Sequence, residues 1–123
     1  MAAGATLKKV YVDGSGSGWI CVAVLDGPVF ISREKANSHN ESEWQALLKA
    51  LTLLNDGDSA LILTDSQLVA RQFSGTYKTR SPAMRRLKQL CINTAKSKNL
   101  KVRVKWIRRE ENVAGWLLEK LGK

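Results

Sequence analysis

The sequence has no apolar stretch approaching the roughly 20 residues that a transmembrane helix requires. Its first residues, Met1–Thr6, have no charged region followed by an apolar core, which a secretory signal would show. Only two cysteines occur, Cys21 and Cys91, both in apolar surroundings and without CxxC spacing. This pattern favours two reduced core thiols over a disulfide or a metal pair. We therefore expect a cytoplasmic protein that makes no use of a membrane.

Acidic residues are also scarce. The 123 residues include 20 Lys and Arg against 11 Asp and Glu, a net charge of +9. Such an excess favours a polyanionic partner, with nucleic acid ahead of an anionic membrane surface. Fourteen of the 20 basic residues lie within Tyr77–Lys123, together with only three acidic residues. The C-terminal part of the chain therefore carries most of the positive field.

The length and the general composition are those of an ordinary folded domain. Apolar residues make up 44% and charged residues 25%, which excludes disordered, collagenous and fibrous proteins. We find no internal repeat, and the glycines between Gly14 and Gly18 are too few to link two domains. We therefore expect residues 1–123 to form a single domain.

Three strands are predicted in the first 33 residues. They are Leu7–Val12, Trp19–Leu25 and Val29–Arg33. The first two are separated by a glycine-rich turn, and Asp26-Gly27 between the second and third is a strong hairpin signal. This pattern predicts an antiparallel meander.

Helices and strands alternate in the rest of the chain. Apolar positions at helical spacing predict a helix through Trp44–Leu54, capped by Asn40 or Ser42. A buried strand at Ala60–Leu63 and a helix at Ser66–Phe73 follow. The next predicted helix begins at Pro82 and has the apolar stripe Met84, Leu87, Leu90, Cys91 and Thr94. A strand at Leu100–Trp106 has one apolar and one basic face, and a last helix has the stripe Val113, Trp116, Leu117 and Leu121. Because helices join the later strands, these should pair in parallel, giving a mixed α/β sheet.

Three of the few acidic residues occupy unusual places. Asp13 ends the first predicted strand, Asp65 ends the fourth, and Glu43 lies in the first turn of the first long helix. If the first and fourth strands are parallel neighbours, both aspartates lie at the sheet edge where α/β proteins bind ligands. Each residue also has an ordinary explanation: a turn start for Asp13, a helix cap for Asp65 and a helix-dipole partner for Glu43.

Converging carboxylates repel one another unless their pKa values rise or a cation binds between them. Hard oxygen ligands of this kind suit Mg²⁺ or Mn²⁺. Two such ions can support phosphodiester hydrolysis, while the surrounding positive surface would hold the nucleic acid. The sequence therefore predicts a divalent metal site.

The chain resembles the type 1 ribonuclease H family from Val10 to about Leu118, and three motifs in the right order carry the resemblance. They are Val10-Tyr11-Val12-Asp13-Gly14-Ser15, Asn40-Glu41-Ser42-Glu43-Trp44-Gln45-Ala46-Leu47 and Thr64-Asp65-Ser66-Gln67. The resemblance implies a ribonuclease H-like α/β fold, with strand order 3-2-1-4-5 and flanking helices. It further implies an endonuclease that hydrolyses the RNA strand of an RNA/DNA hybrid with two Mg²⁺ (or Mn²⁺) ions and leaves 3′-hydroxyl and 5′-phosphate ends.

The fourth carboxylate of the family is not present as such. Asn112 matches its position best, so the catalytic and metal-binding set would read Asp13, Glu43, Asp65 and Asn112. An asparagine can ligate through its carbonyl oxygen but adds no negative charge, which predicts weaker binding of one ion and a greater need for Mn²⁺. Asn112 could instead be only a helix cap in a degenerate site, with Glu110, Glu111 or Glu119 as substitutes. The histidine loop and the basic protrusion of some family members are both missing.

Short polar and basic residues are expected to contact the substrate. We choose them for their position in the motifs or for their charge, and they are Ser15, Ser38, His39, Asn40, Gln67, Lys78 and Arg80. They could bond the 2′-hydroxyls, phosphates or minor-groove edges that distinguish a hybrid from duplex DNA. Each of them is also common in ordinary turns, caps and loops.

Two other functions compete with ribonuclease H activity. A catalytically weak or silent module that binds hybrids or double-stranded RNA is favoured by Asn112 and opposed by the three carboxylates. A DNA exonuclease or resolvase on the same scaffold is the other alternative. In each case we expect a monomer without an obligate protein partner.

Overall fold

A mixed five-stranded sheet forms the centre of the computed structural model, which describes residues 7–123. Met1–Thr6, in which we expect no targeting signal, lie outside the described residues. The elements in chain order are β1 (Leu7–Gly14), β2 (Trp19–Val24), β3 (Val29–Arg33), α1 (His39–Leu53), β4 (Ser59–Thr64), α2 (Gln67–Ser74), α3 (Pro82–Ser97), β5 (Lys101–Trp106), a 3₁₀ turn (Arg109–Glu111) and α4 (Val113–Lys120).

The predicted strand order is confirmed. The sheet runs β3-β2-β1-β4-β5, with β1, β2 and β3 antiparallel and with β4 parallel to both β1 and β5. Val12 of β1 is paired with Thr64 of β4, so the residues that follow them, Asp13 and Asp65, lie side by side at the same edge of the sheet. Parallel pairing of the two strands therefore brings together carboxylates that are 52 positions apart in the sequence.

Helices cover the two faces of the sheet unequally. On one face, Trp44, Leu47 and Leu51 of α1 pack with Val10 of β1 and Ile62 of β4, and α3 adds Leu87 and Cys91. On the other face, α4 contributes Ala114 and Leu118 to a smaller cluster with residues of β2. The larger core therefore lies between the sheet and the pair α1 and α3.

Both cysteines are free and buried, as predicted. Burial raises the pKa of Cys21 to about 11 and that of Cys91 to about 12. Because the thiolate is the reactive form, these thiols are inert core groups at neutral pH.

The predicted cap of α1 was wrong. Ser38, rather than Asn40 or Ser42, precedes the helix, and its hydroxyl accepts a hydrogen bond from the backbone N–H of Glu41 at 3.1 Å. The Glu41 carboxylate in turn accepts one from the backbone N–H of Asn37. This arrangement is similar to a capping box, except that the glutamate bonds the N–H of the residue before the cap.

The predicted apolar stripe of the last helix was also wrong. Val113, Trp116 and Leu121 are 41%, 56% and 54% exposed, whereas Ala114, Gly115 and Leu118 are buried. Small residues at the inner face let the helix approach the sheet closely, so the larger apolar side chains are left outside. In α3, Leu90 of the predicted stripe is likewise exposed.

None of the helices within residues 7–123 combines the length and the apolar character needed to cross a membrane.

Candidate active site

Three carboxylates meet at the edge of the sheet where β1 and β4 end. Asp13, Glu43 and Asp65 each present an oxygen that lies within 4.8 Å of the other two. Asp13 and Glu43 are each only 4% exposed, and the Asp65 side chain is 7% exposed. The convergence predicted from the strand order is therefore present, in a setting that is largely shielded from water.

A close approach of two backbones holds Glu43 in this position. The N–H of Gly14 donates a hydrogen bond of 2.6 Å to Oε1 of Glu43. A Cβ atom on Gly14 would lie 2.3 Å from the backbone carbon of Ser42, a distance that no side chain tolerates. Glycine at position 14 is thus required for α1 to dock against the end of β1 and deliver Glu43 to the two aspartates.

The electrostatics of the cluster oppose full ionisation. Burial, and then the charge of Asp65, raises the pKa of Asp13 to about 6. Burial, followed by the charges of Asp13 and Asp65, raises the pKa of Glu43 to about 9. With no cation bound, the three groups therefore retain at least one proton at neutral pH.

The residues of the cluster fit a divalent cation. Oδ1 of Asp13 and Oδ2 of Asp65 are buried and accept no hydrogen bond from any residue in the described part of the chain. Buried carboxylate oxygens ordinarily have partners, and a hard cation is the partner that would also remove their mutual repulsion. The cluster could therefore hold Mg²⁺ or Mn²⁺.

Asn112 is 1% exposed and lies against the end of β1, beside Asp13. Its Nδ2 donates a hydrogen bond of 3.0 Å to the carbonyl of Val12, and its Oδ1 accepts one of 3.1 Å from the N–H of Ala114. The amide thus caps α4 and ties this helix to the end of β1. A carbonyl oxygen has a second lone pair, so a role of Asn112 as a metal ligand stays a prediction.

Two further residues, which were not predicted from the sequence, lie against the carboxylates. Nη1 of Arg109 lies 3.8 Å from Oδ2 of Asp65. A Cβ atom on Gly115 would lie 3.2 Å from Oδ2 of Asp13, so α4 passes directly over the cluster. Their closeness in sequence to Asn112, three positions away on either side, was the only signal that could have indicated them.

A cavity of about 210 Å³ opens beside Asp13. Ser15 and His39, both predicted substrate contacts, line it together with Arg109 and Lys123. Nε2 of His39 is 3.9 Å from Oε2 of Glu43. The fold therefore brings these two predicted residues to the rim of the cluster.

The other predicted substrate residues are spread along the surface. Ser38 and Asn40 are exposed at the start of α1, where the Ser38 hydroxyl is used as the cap. Gln67 is exposed at the start of α2, and Lys78 and Arg80 are exposed in the connector to α3. The structure does not bring Lys78 to the cavity beside Asp13; it lines a separate depression with Arg85 and Lys88. Their contacts with substrate stay predictions.

The sequence matches the model of one protein family, described as reverse transcriptase-like, over residues 3–118. No curated protein matches the chain. Among solved structures, the N-terminal RNase H domain of rv2228c from Mycobacterium tuberculosis, a fusion with maltose-binding protein, is 23% identical. Its TM-score is 0.75, and the match covers 92% of this chain and 95% of that one.

Two RNase H1 structures are similar to the same degree. LC11-RNase H1 in complex with an RNA/DNA hybrid is 21% identical with a TM-score of 0.77, covering 94% of this chain and 99% of that one. RNase H1 from the halophilic archaeon Halobacterium salinarum NRC-1 is 22% identical with a TM-score of 0.72, covering 92% and 94%. With a family match over nearly all of its length and a strand order shared with these structures, the chain belongs to the reverse transcriptase-like family and has the ribonuclease H fold.

Proposed function

We propose that this protein is an endoribonuclease that hydrolyses the RNA strand of RNA/DNA hybrids and leaves 3′-hydroxyl and 5′-phosphate ends. The observation that carries the proposal is the cluster of Asp13, Glu43 and Asp65, whose oxygens lie within 4.8 Å of one another in a protein of net charge +9. A protein with few acidic residues would gain nothing structural from burying three of them together, because the cluster raises two pKa values at the expense of stability. LC11-RNase H1, of the same fold, is seen with an RNA/DNA hybrid.

Asp13, Glu43 and Asp65, with the Oδ1 of Asn112 as a neutral fourth donor, would hold two divalent ions, Mg²⁺ or Mn²⁺. When bound, such ions supply an activated water and charge stabilisation for phosphodiester displacement. The protein positions its own donors for this: Gly14 orients the Glu43 carboxylate through its N–H, and Asn112 orients the end of β1 through the Val12 carbonyl.

The surface around the cluster suits a nucleic-acid duplex. Ser15 and His39 line the cavity at the cluster, and Ser38, Asn40 and Gln67 are exposed at the first turns of α1 and α2. These groups would recognise 2′-hydroxyls and phosphates by shape and hydrogen bonding, independently of sequence. Lys78 and Arg80 would add contacts to the backbone, and their contribution to affinity would fall as salt rises.

A second function, binding of hybrids without hydrolysis, is favoured by one observation. Both polar ends of the Asn112 amide are hydrogen-bonded within the protein, and Asn112 brings no negative charge to the cluster. Such a module would keep the fold and the basic surface, while one of the two ions would bind too weakly to support turnover.

Cleavage of an end-labelled RNA/DNA hybrid tests the proposal. We expect cleavage of the RNA strand with Mg²⁺ or Mn²⁺ and none with a chelator, with Asp65→Asn as the inactive control. Extension of the products by a polymerase would verify the 3′-hydroxyl ends. A hybrid that is bound but left intact with both ions would refute the enzyme and support the binding module, and cleavage of duplex DNA at the same rate would refute the hybrid specificity.

A further inference from the structure

One face of the sheet is only half covered, and the uncovered half is basic. We define the open face as the outward side of β1, β4 and β5 opposite to α1 and α3. The strand register places Lys9, Leu61 and Arg103 in one row, with Lys101 beside Ser59 and Lys105 beside Leu63. Side chains alternate along a strand, so the cations of β5 share one side and the core residues Val102 and Val104 share the other.

The helix on this side of the sheet packs on Tyr11 of β1 and on β2, and it leaves Lys9 and the cations of β5 uncovered. The principal packing partners of α4 are β1 and β2, and its buried residues lie with Cys21 and Ala23 of β2. Lys9, Lys101, Arg103 and Lys105 are all exposed, and none forms an ion pair with another residue between 7 and 123. No acidic side chain belongs to these rows. The open face is therefore a patch of four uncompensated positive charges.

Protection of the sheet edge explains only part of this pattern. Charged side chains on an edge strand discourage pairing with another chain, and β5 is an edge strand. Lys9, however, lies on β1, the central strand, where no edge needs protection. Edge protection does not account for its exposed ammonium group, which extends the positive charge to the middle of the sheet, where a polyanion would meet it.

We propose that the open face binds the phosphate backbone of a single-stranded overhang that extends from the hybrid. This inference rests on the proposed function. Thr64 pairs with Trp106, so Lys105 is one residue from the edge at which Asp65 lies, and the cations of β5 follow from there at intervals of about 6.6 Å. A strand leaving the candidate active site would therefore meet them in order along β5.

The shape of the face favours a single strand over a duplex. A duplex seated on the sheet edge is stiff and cannot also bend onto a sheet face, whereas a single strand turns freely. Half-buried Leu61 lies between the cations of β1 and β5 and offers an apolar surface for a base. Alternation of charge and apolar surface is the usual composition of single-strand binding sites.

Binding without divalent ions tests this inference separately from catalysis. Fluorescence anisotropy in a chelator would compare a blunt hybrid with the same hybrid carrying a DNA overhang of about ten thymidines, long enough for a typical single-strand site. We expect the overhang to tighten binding roughly tenfold and to steepen the dependence of log Kd on log salt by about 0.7 for each phosphate neutralised.

The variant K101E/R103E should remove this overhang advantage, bringing the ratio of the two Kd values to about one. Glutamate keeps β5 charged, so edge protection alone would leave the ratio unchanged. The matched control K49E/K96E makes the same change in net charge on α1 and α3 and should preserve the ratio. Lys9→Gln, a single change on the central strand, should reduce the ratio partly without altering β5.

The inference is overturned if the overhang gives no advantage, or if K101E/R103E and K49E/K96E reduce it equally; either result would leave an acidic protein as the partner to test. Thermal unfolding of each variant would verify that it is folded. If K101E/R103E does not fold, the Kd ratio measured for Lys9→Gln decides the question. Failure of the proposed function has a different signature, which is an overhang advantage that persists while no hybrid is cut with Mg²⁺ or Mn²⁺.

Discussion

An aspartate lies at each end of β4, and the two carboxylates have opposite surroundings. Asp58 precedes the strand, and its Oδ2 accepts hydrogen bonds of 2.8 Å from Nζ of Lys8 and from the backbone N–H of Asn55. Asp65 follows the strand, and its Oδ2 is buried without a hydrogen bond, beside two other carboxylates. The bond from Lys8 lowers the pKa of Asp58, whereas burial and the charge of Asp65 raise the pKa of Asp13.

This is the difference expected between a carboxylate that supports folding and one that binds a metal ion. At the Asp58 end, partners supplied by the chain stabilise the charge, and the aspartate supports folding. At the Asp65 end the chain supplies burial and repulsion without sufficient partners, so the charge costs stability until a cation binds. Groups held at such a cost occur mainly at functional sites.

Neutralising an aspartate of the cluster should abolish hybrid cleavage, and neutralising Asp58 at the other end of β4 should not. We expect Asp13→Asn and Asp65→Asn each to reduce hybrid cleavage by about a thousandfold or more, equal to about 4 kcal/mol, because a metal-binding charge is lost. Each should also raise the melting temperature in a chelator, since repulsion in the cluster is relieved.

The matched control is Asp58→Asn, which should cleave hybrid at the wild-type rate. Single-turnover cleavage with Mg²⁺ and thermal unfolding in a chelator measure both effects. Wild-type cleavage by Asp65→Asn would contradict the difference between the two ends.

The pH dependence of stability should also distinguish them. Folding raises the pKa of Asp13 from 3.8 to about 6 and that of Glu43 from 4.5 to about 9. The folded state thus binds these protons more tightly, so stability contributed by the cluster is full at low pH and falls as pH rises to about 9. Between about pH 6 and 9 the folded state keeps the Glu43 proton that the unfolded state has released, so stability should fall with a slope approaching about 1.4 kcal/mol per pH unit.

Asp58 behaves in the reverse sense, because its lowered pKa contributes stability that is lost only as pH falls below its ordinary value of 3.8. Urea unfolding in a chelator across pH 5–9 measures the slope, and Glu43→Gln should flatten it. A wild-type stability that changes from pH 6 to 9 by the same amount as that of Glu43→Gln would show that the cluster does not titrate as described.

Substitution of Asn112 should be costly through the structure alone. Asn112→Ala removes the cap of α4 and the donor to the Val12 carbonyl, an expected loss of about 2 kcal/mol. Asn112→Asp keeps the cap but leaves that buried carbonyl without a donor, so it should also be destabilising without metal.

Activity then separates ligand from cap. If Asn112 is a ligand, Asn112→Asp should preserve or raise cleavage and Asn112→Ala should lower it, measured at saturating Mn²⁺ below the melting temperature of both variants. Equal rates for the wild type and both variants would remove Asn112 from the metal site.

The smallest effect is expected at the structural end of β4. Asp58→Asn weakens the contact with Lys8, whose side chain is 33% exposed, and should lower stability by about 1 kcal/mol. Added Mg²⁺ should not change this difference, as seen by parallel urea titrations. A difference that disappears with Mg²⁺ would mean that Asp58 shares the role of Asp65.

The elements of the fold and the location of the carboxylates were predictable from local patterns. Alternating or β-branched runs shortly before Asp13 and Asp65 predict two strands, each with an acidic residue near its end. The confirmed strand order then places both at one edge. The helix face of α4 was not predictable, because the pattern of large apolar residues identifies the inner face only where large residues fill it. Here Ala114 and Gly115 face inward, and Trp116 is outside.

The start of α1 was unpredictable for a related reason. Ser38, Asn40 and Ser42 all have the chemistry of a cap, and each is followed three positions later by Glu or Gln. The local pattern therefore does not distinguish Ser38, which is the cap in the structure. Arg109 could not be assigned to the cluster either, since nothing in its neighbours indicates an orientation toward Asp65.

The sequence by itself determined the strands, the helices, the charge and the acidic residues close to the ends of β1 and β4, because these depend on periodicity and composition within short segments. Tertiary structure decided whether those acids meet, how deeply they are buried and what Asn112 binds. Such properties depend on contacts between distant positions, such as Gly14 with Glu43, 29 residues apart, and Val12 with Asn112, 100 apart. Desolvation and repulsion arise only when folding closes those distances, so the raised pKa values of the cluster belong to the fold.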